Sequence, residues 1–144
     1  MINYILKRKN LIKRKLPARL SVKETEDAFI IMQCIRLFNK DVQWVGMFDV
    51  FDAIRRIQDG QKMFVATMNY EIFGHCWVEK RSSKEYYIYN VFSKKTNEPR
   101  EYGATDMLYY VIKNHTKGKI RVRVDSWNKK SIRVFNKLGF KIEV

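Results

Sequence analysis

The chain has 144 residues, 46% hydrophobic and 14% aromatic, with 29 Lys and Arg against 15 Asp and Glu, for a formal net charge of +14. That length and apolar content suit one domain around one core, and they exclude a disordered polymer, a collagen and a disulfide scaffold. The charge favours polyanionic partners, namely nucleic acid, an anionic membrane, an acidic protein or a phosphorylated cofactor, and says little about fold.

Residues 1–17 stand apart. They hold Lys7, Arg8, Lys9, Lys13, Arg14 and Lys15 with no acid, interleaved with Tyr4, Ile5, Leu6, Leu11, Ile12 and Leu16, and Pro17 ends the run. The segment reads as a basic extension, either a short strand or an amphipathic helix docked on the domain, with an arm for a polyanion as its functional reading. Residues 18–23 read as a strand. Thr25 or Asp27 caps a helix on which Ala28, Ile31, Ile35 and Phe38 recur at helical spacing. A second helix is expected over Trp44, Met47, Phe48, Phe51, Ile54 and Ile57, stopped by Gly60.

Strands follow at 63–68 and 73–80, linked by a hairpin at 69–71, and a third at 86–93 is rich in aromatic and β-branched residues. Residues 94–100 hold Thr96, Asn97 and Pro99 and read as a loop. Ala104, Met107, Leu108, Val111 and Ile112 then mark one face of a helix. Ile120, Val122 and Val124 alternate with Arg121 and Arg123, giving a strand with one wet face on which the arginines follow phosphates. Asn128 caps a last helix carrying Ile132, Phe135 and Leu138, Gly139 ends it, and residues 140–144 form a final strand. The order β-α-α-β-β-β-α-β-α-β over residues 18–144 is an α/β (mixed-sheet α+β) domain with helices on both faces.

No apolar run is long enough to span a membrane, and no uninterrupted apolar core follows the basic N-terminus, so no membrane association and action in the cytoplasm are expected. Cys34 and Cys76 lie in apolar stretches with no partner at metal spacing. They read as reduced core residues, and no metal is expected.

Two stretches carry chemistry. In Arg100-Glu101-Tyr102-Gly103-Ala104-Thr105, a glycine at the mouth of a helix lets backbone approach a ligand while first-turn N–H groups and the helix dipole attract an anion, with Arg100 beside them. The other runs from Asn128 through Ser131, Val134, Phe135 and Leu138 to Gly139 and Phe140. In this order and spacing the pair resembles the GNAT superfamily of N-acyltransferases. Arg100, Gly103 and Thr105 match its Gln/Arg-x-x-Gly-x-Gly/Ala phosphate loop, Thr105 standing for the small residue. The second stretch matches Asn-x-x-Ala-x-x-hydrophobic-Tyr-x-x-Leu-Gly-Phe, and Gly74 is another family-like position.

The resemblance covers about residues 18–144 and implies a GNAT-like fold and an N-acetyltransferase that moves an acetyl group from acetyl-CoA to a primary amine. The acceptor classes it allows are a protein, a small amine and an aminoacyl-tRNA, the last in keeping with the charge. It further implies that backbone at Val91 and Phe92 binds the pantetheine arm and that the N–H groups of Glu101, Tyr102, Gly103, Ala104 and Thr105, with Arg100, hold the pyrophosphate. Asn128 bonds the cofactor's amide region, beside Ser131 and Phe135.

The chain departs from the pattern in three ways. Phe135 stands where the family often has a Tyr acid. The final strand leaves an edge for the N-terminal segment or for a second subunit, that is, a homodimer. The loop before Arg100 is long. Candidate bases are His75, Glu79 and Glu85, and candidate donors are Tyr89, Tyr87, Tyr102 and Ser131. Alternation sets His75 and Trp77 on one face and Cys76 and Val78 on the other, and a buried His75 is the favoured reading. His115 reads as a surface residue. The competing function is a GNAT-fold module without chemistry that binds nucleic acid or an acidic partner through its charge.

Overall fold

The computed structural model describes residues 1–41, 49–94 and 102–144, the side chains of 38–41 excepted. The N-terminal segment takes the strand form, β1 (Ile2–Leu6), followed by a 3-10 turn at Arg8–Asn10. Then come β2 (Leu20–Thr25), α1 (Ala28–Asp41), α2 (Val50–Gln58), β3 (Lys62–Met68), β4 (Glu71–Ser82), β5 (Glu85–Ser93), α3 (Ala104–His115), β6 (Lys119–Val124), α4 (Lys129–Leu138) and β7 (Lys141–Ile142).

All seven strands form one mixed sheet, ordered β2-β3-β4-β5-β6-β1-β7. Strands β2 to β5 pair antiparallel, and β5 and β6 pair parallel across the α3 crossover. β1 lies between β6 and β7, antiparallel to both. The edge left open in the sequence reading is thus occupied from within the chain, and Tyr4 and Leu6 enter the core. Gly139 ends α4 in the left-handed conformation at φ 103°, and a Cβ there would stand 2.3 Å from the Asn10 carbonyl oxygen. A hydrogen bond from Ile12 N–H to the Leu138 carbonyl ties the segment down at the same place.

The core has two halves, one on each face of the sheet. Cys76, Val78, Ile88, Ile120 and Val122 pack with Leu108 and Ile112 of α3 and with Phe135 and Leu138 of α4. On the other face Met63, Val65, Trp77 and Phe92 pack with Ile31 and Ile35 of α1 and Ala53 of α2. Both cysteines are free and buried, and burial pushes each thiol up to about 12.

Three expectations shift. Asp49, with Asp52, caps the second helix in a reciprocal box, so it begins at Val50, while Trp44, Met47 and Phe48 lie outside the described residues. Its Phe51 and Ile54 face solvent while Ala53 is buried, because the space over the sheet goes to the Arg56 stem, whose guanidinium lies 5.3 Å from the Trp77 ring centre. The last strand shrinks to Lys141–Ile142. Among the described residues no helix is long and apolar enough to cross a membrane.

Candidate functional site

The site begins with a defect in a strand. Along β4 and β5, His75 pairs with Phe92 and Trp77 with Tyr89, so Asn90 and Val91 together oppose Cys76. That two-against-one count is a β-bulge, which bends the strand that carries it. Asn90 takes φ 46°, a left-handed conformation that Asn tolerates better than most residues. Its Oδ1 accepts a 2.8 Å hydrogen bond from Arg56 on α2.

On its other side β5 pairs with β6 only at Glu85–Lys119, Tyr86–Ile120 and Tyr87–Arg121. Beyond these pairs the two parallel strands part, and residues 88–93 have no register partner on β6. Val91, in the bulge, and Phe92, just after it, are the residues expected to meet a pantetheine arm, and both lie in the parted stretch. Backbone on such a strand edge can take an extended ligand as an added strand. Gly74 packs beneath: a Cβ there would approach the Phe92 carbonyl oxygen to 2.7 Å, so only glycine fits.

The loop after β5 leads to the mouth of α3. Arg100 and Glu101 lie outside the described residues. Gly103 is the N-cap at φ 175°, an extended conformation open to any residue, and among the described residues no atom outside its chain neighbours lies within 4 Å of the position a Cβ would take. Neither the backbone angle nor the described neighbours demand glycine there. Ala104 and Thr105 supply first-turn N–H groups that helix geometry leaves without an intrahelical acceptor, and Thr105 is buried. Tyr102 stands edge-on to Phe73 at 4.9 Å. The residues present suit a phosphate-bearing group.

Asp106 was missed by the sequence reading. Its Oδ2 accepts the Gly103 N–H at 2.8 Å, and its Oδ1 receives Nε and Nη2 of Arg14 at 3.1 and 3.0 Å. The spacing of an acid three residues after the N-cap was the available signal. At the head of α4, Asn128 Oδ1 caps the Ser131 N–H at 3.2 Å, leaving its amide group as a donor.

The catalytic candidates separate. His75 is fully buried, its ring 5.5 Å from that of Phe92. Burial first, and the Arg56 charge second, bring its pKa down to about 4, so it is neutral at pH 7 and sealed from solvent. Glu85 pairs with Arg121 at 2.9 Å, and Arg121 also reaches Glu143. Arg121 therefore sits between two carboxylates instead of lining a wet, phosphate-facing surface; Arg123 is exposed. Glu79 and Tyr89 come together through Arg81, which donates to Glu79 at 2.8 Å and to the Tyr89 hydroxyl at 2.7 Å while its guanidinium lies 3.7 Å from the Tyr87 ring centre. Gln61 donates to the other Glu79 oxygen. Burial raises the Tyr89 pKa against the opposing pull of Arg81. Phe135 is 4% exposed and packs edge-on to Phe140 at 5.2 Å. His115 is exposed, as expected, with its ring 4.6 Å from that of Phe64.

No protein-family model and no curated protein sequence matches the chain. Solved structures do. An aminoglycoside acetyltransferase from an uncultured soil metagenomic sample, in complex with trehalose, superposes with a TM-score of 0.61 at 18% identity over 83% of this chain and 87% of that one. A GNAT-family acetyltransferase from Bacillus cereus gives 0.66 at 16% identity over 87% and 84%. YncA from Salmonella typhimurium, solved with its cofactor acetyl-CoA, gives 0.65 at 14% identity over 88% and 82%. With its parted parallel strands and glycine-capped crossover helix, the chain has the fold of the GCN5-related N-acetyltransferases.

Proposed function

We propose that the chain is an N-acetyltransferase that takes acetyl-CoA as acyl donor and a primary amine as acceptor. The observation that carries this reading is the parting of β5 from β6 after Tyr87 and Arg121, beside the Asn90 bulge, with a helix mouth next along the chain. In it the Val91 and Phe92 backbone aligns the pantetheine arm, the amides of Tyr102, Ala104 and Thr105 hold the pyrophosphate, and the Asn128 amide donates to a carbonyl of the arm.

Acetyl-CoA supplies a thioester whose thiol, with a pKa of roughly 8.5, leaves readily once an amine attacks. The amine must shed a proton and the thiolate must gain one. Tyr89, one residue before the bulge and with its pKa raised, stays protonated at pH 7 and is our choice of donor. Glu79, on the same face and joined to Tyr89 through Arg81, is our choice of base, acting through water. His75 is too deeply buried, and Glu85 too firmly paired, to serve as well.

Charge narrows the acceptor. A cavity of about 740 Å³ lies against the α1 side of β2 and β3, lined by Arg19, Lys23 and Glu24 with Ser21, Thr25 and Thr67 among others. With a net charge of +14, such a surface repels a polycation and favours an amine on a neutral or anionic molecule.

Calorimetric titration with acetyl-CoA at moderate salt, with a generic polyanion as control, tests the reading. Saturable binding that the polyanion fails to reproduce supports it. Binding matched by any polyanion transfers the function to a nucleic-acid or acidic-partner module.

A further inference from the structure

The N-terminal segment does more than add a strand. Arg8 donates to the carbonyl oxygens of Ile112 and Lys113 at 2.9 and 2.7 Å and to the Thr116 hydroxyl at 3.1 Å, so it caps the C-terminal end of α3. Six residues on, Arg14 reaches Asp106 in the first turn of the same helix. The segment therefore runs the length of α3 and grips it at both ends.

Asp106 poses an electrostatic problem for an anion site. Its side chain is 3% exposed, and one oxygen accepts the N–H of the N-cap residue itself. A carboxylate suits a helix N-terminus, but this one opposes a second anion at the same place and consumes an amide that would otherwise face it. Arg14 is the one side chain among the described residues recorded in an ion pair with it. The arginine comes from outside the loop that carries the phosphate-binding pattern.

We propose that Arg14 is a positioning residue for the phosphate cradle: by holding Asp106 it cancels the buried charge and fixes the first turn of α3, so that the helix mouth accepts the pyrophosphate of a coenzyme A thioester. This rests on the acetyltransferase reading above. Arg14 acts through Asp106 and not by touching the ligand, so its effect falls on the phosphate-bearing half of the donor alone and disappears when Asp106 carries no charge.

The test is calorimetric titration of coenzyme A and of phosphate-free pantetheine into the full chain, the R14A and D106N variants, and the R14A/D106N double variant, with melting followed by circular dichroism. R14A should weaken coenzyme A binding about tenfold and leave pantetheine within about twofold. D106N keeps an oxygen for the Gly103 N–H, so it and the double variant should bind coenzyme A alike, within about threefold. That last pair decides the matter even if R14A alone does not fold. Equal losses for coenzyme A and pantetheine in R14A, or a double variant about tenfold weaker than D106N, would overturn the proposal, the first by pointing to a general structural role and the second to direct contact with phosphate. A wild-type chain that fails to bind coenzyme A removes the acetyltransferase reading itself, and this one with it.

Discussion

The two edges of β5 differ. Toward β4 it keeps seven register pairs along its whole length, broken only by irregularities. Toward β6 it keeps three, all at its start. A sheet that needed only a core would zip both edges, since each unmade ladder bond leaves a polar group to satisfy elsewhere. Here the closed edge backs onto the tightest packing, with Trp77, Cys76 and His75 fully buried, while the open edge adjoins the bulge and the helix mouth. On the proposed function, stability and binding fall to opposite sides of one strand, and substitutions on each side should report separately.

The largest expected effect lies on the open side. Gly103→Glu adds bulk and charge where, among the described residues, no atom outside the chain neighbours stands within 4 Å, so folding should survive while coenzyme A affinity falls by about a hundredfold or more. Calorimetry beside a melting curve checks both halves of that statement, and unchanged affinity would place the phosphates elsewhere. Beyond β6, away from the gap, Leu6→Ala in β1 removes a fully buried side chain paired with Ile120. It should cost about 3 kcal/mol and lower the melting temperature by roughly 10 °C. A loss below about 1 kcal/mol would mean that β1 is a loosely added edge and not part of the core.

The third effect is a pH dependence. His75 titrates near 4 in the folded chain and, once unfolded, at its ordinary value of 6.5. Between those values the unfolded state holds more protons than the native one, so stability rises with pH across that window. The contribution is complete above pH 6.5 and is lost as pH falls toward 4, up to roughly 3 kcal/mol. Urea melts of the wild type and His75→Gln from pH 4 to 7 should show a shallower slope for the variant. Parallel slopes would mean that the imidazole is not sealed.

How much of this was legible in the sequence follows from the range of each interaction. Helices α3 and α4 announce themselves through period and caps, Gly103 and Asn128 at their starts and Gly139 at the end of α4, because these signals are local. The hairpin after β3 was placed for the same reason, and Asn69 and Tyr70 form it at φ 51° and 69°. The position of β1 left no local trace: its partners Ile120, Val122 and Val124 lie more than a hundred residues away. The Arg14–Asp106 pair was hidden likewise, its members 92 residues apart. Apolar spacing misplaced the exposed face of α2, since a long arginine stem can cover a sheet as well as an isoleucine can. Asn90 was visible only as the one strongly polar side chain in an aromatic run, and that mark of a bulge was passed over.

The smallest expected effect bears on where the open side ends. Phe135→Tyr restores the hydroxyl that the family pattern often carries on its last helix. If that ring bordered the gap between β5 and β6, the hydroxyl would find a partner there, stability would hold, and turnover would rise by about a hundredfold as a new acid entered. Phe135 instead packs edge-on to Phe140, among the buried residues of α3, α4 and the sheet. A hydroxyl there loses water and must find an acceptor among apolar neighbours, at a cost of about 1 kcal/mol or somewhat more. We therefore expect a modestly lower melting temperature and turnover within about twofold of the wild type, with proton donation left to Tyr89. A melting temperature that holds while the rate climbs would move the boundary between the two regions across α4, and would take the acid's role from β5.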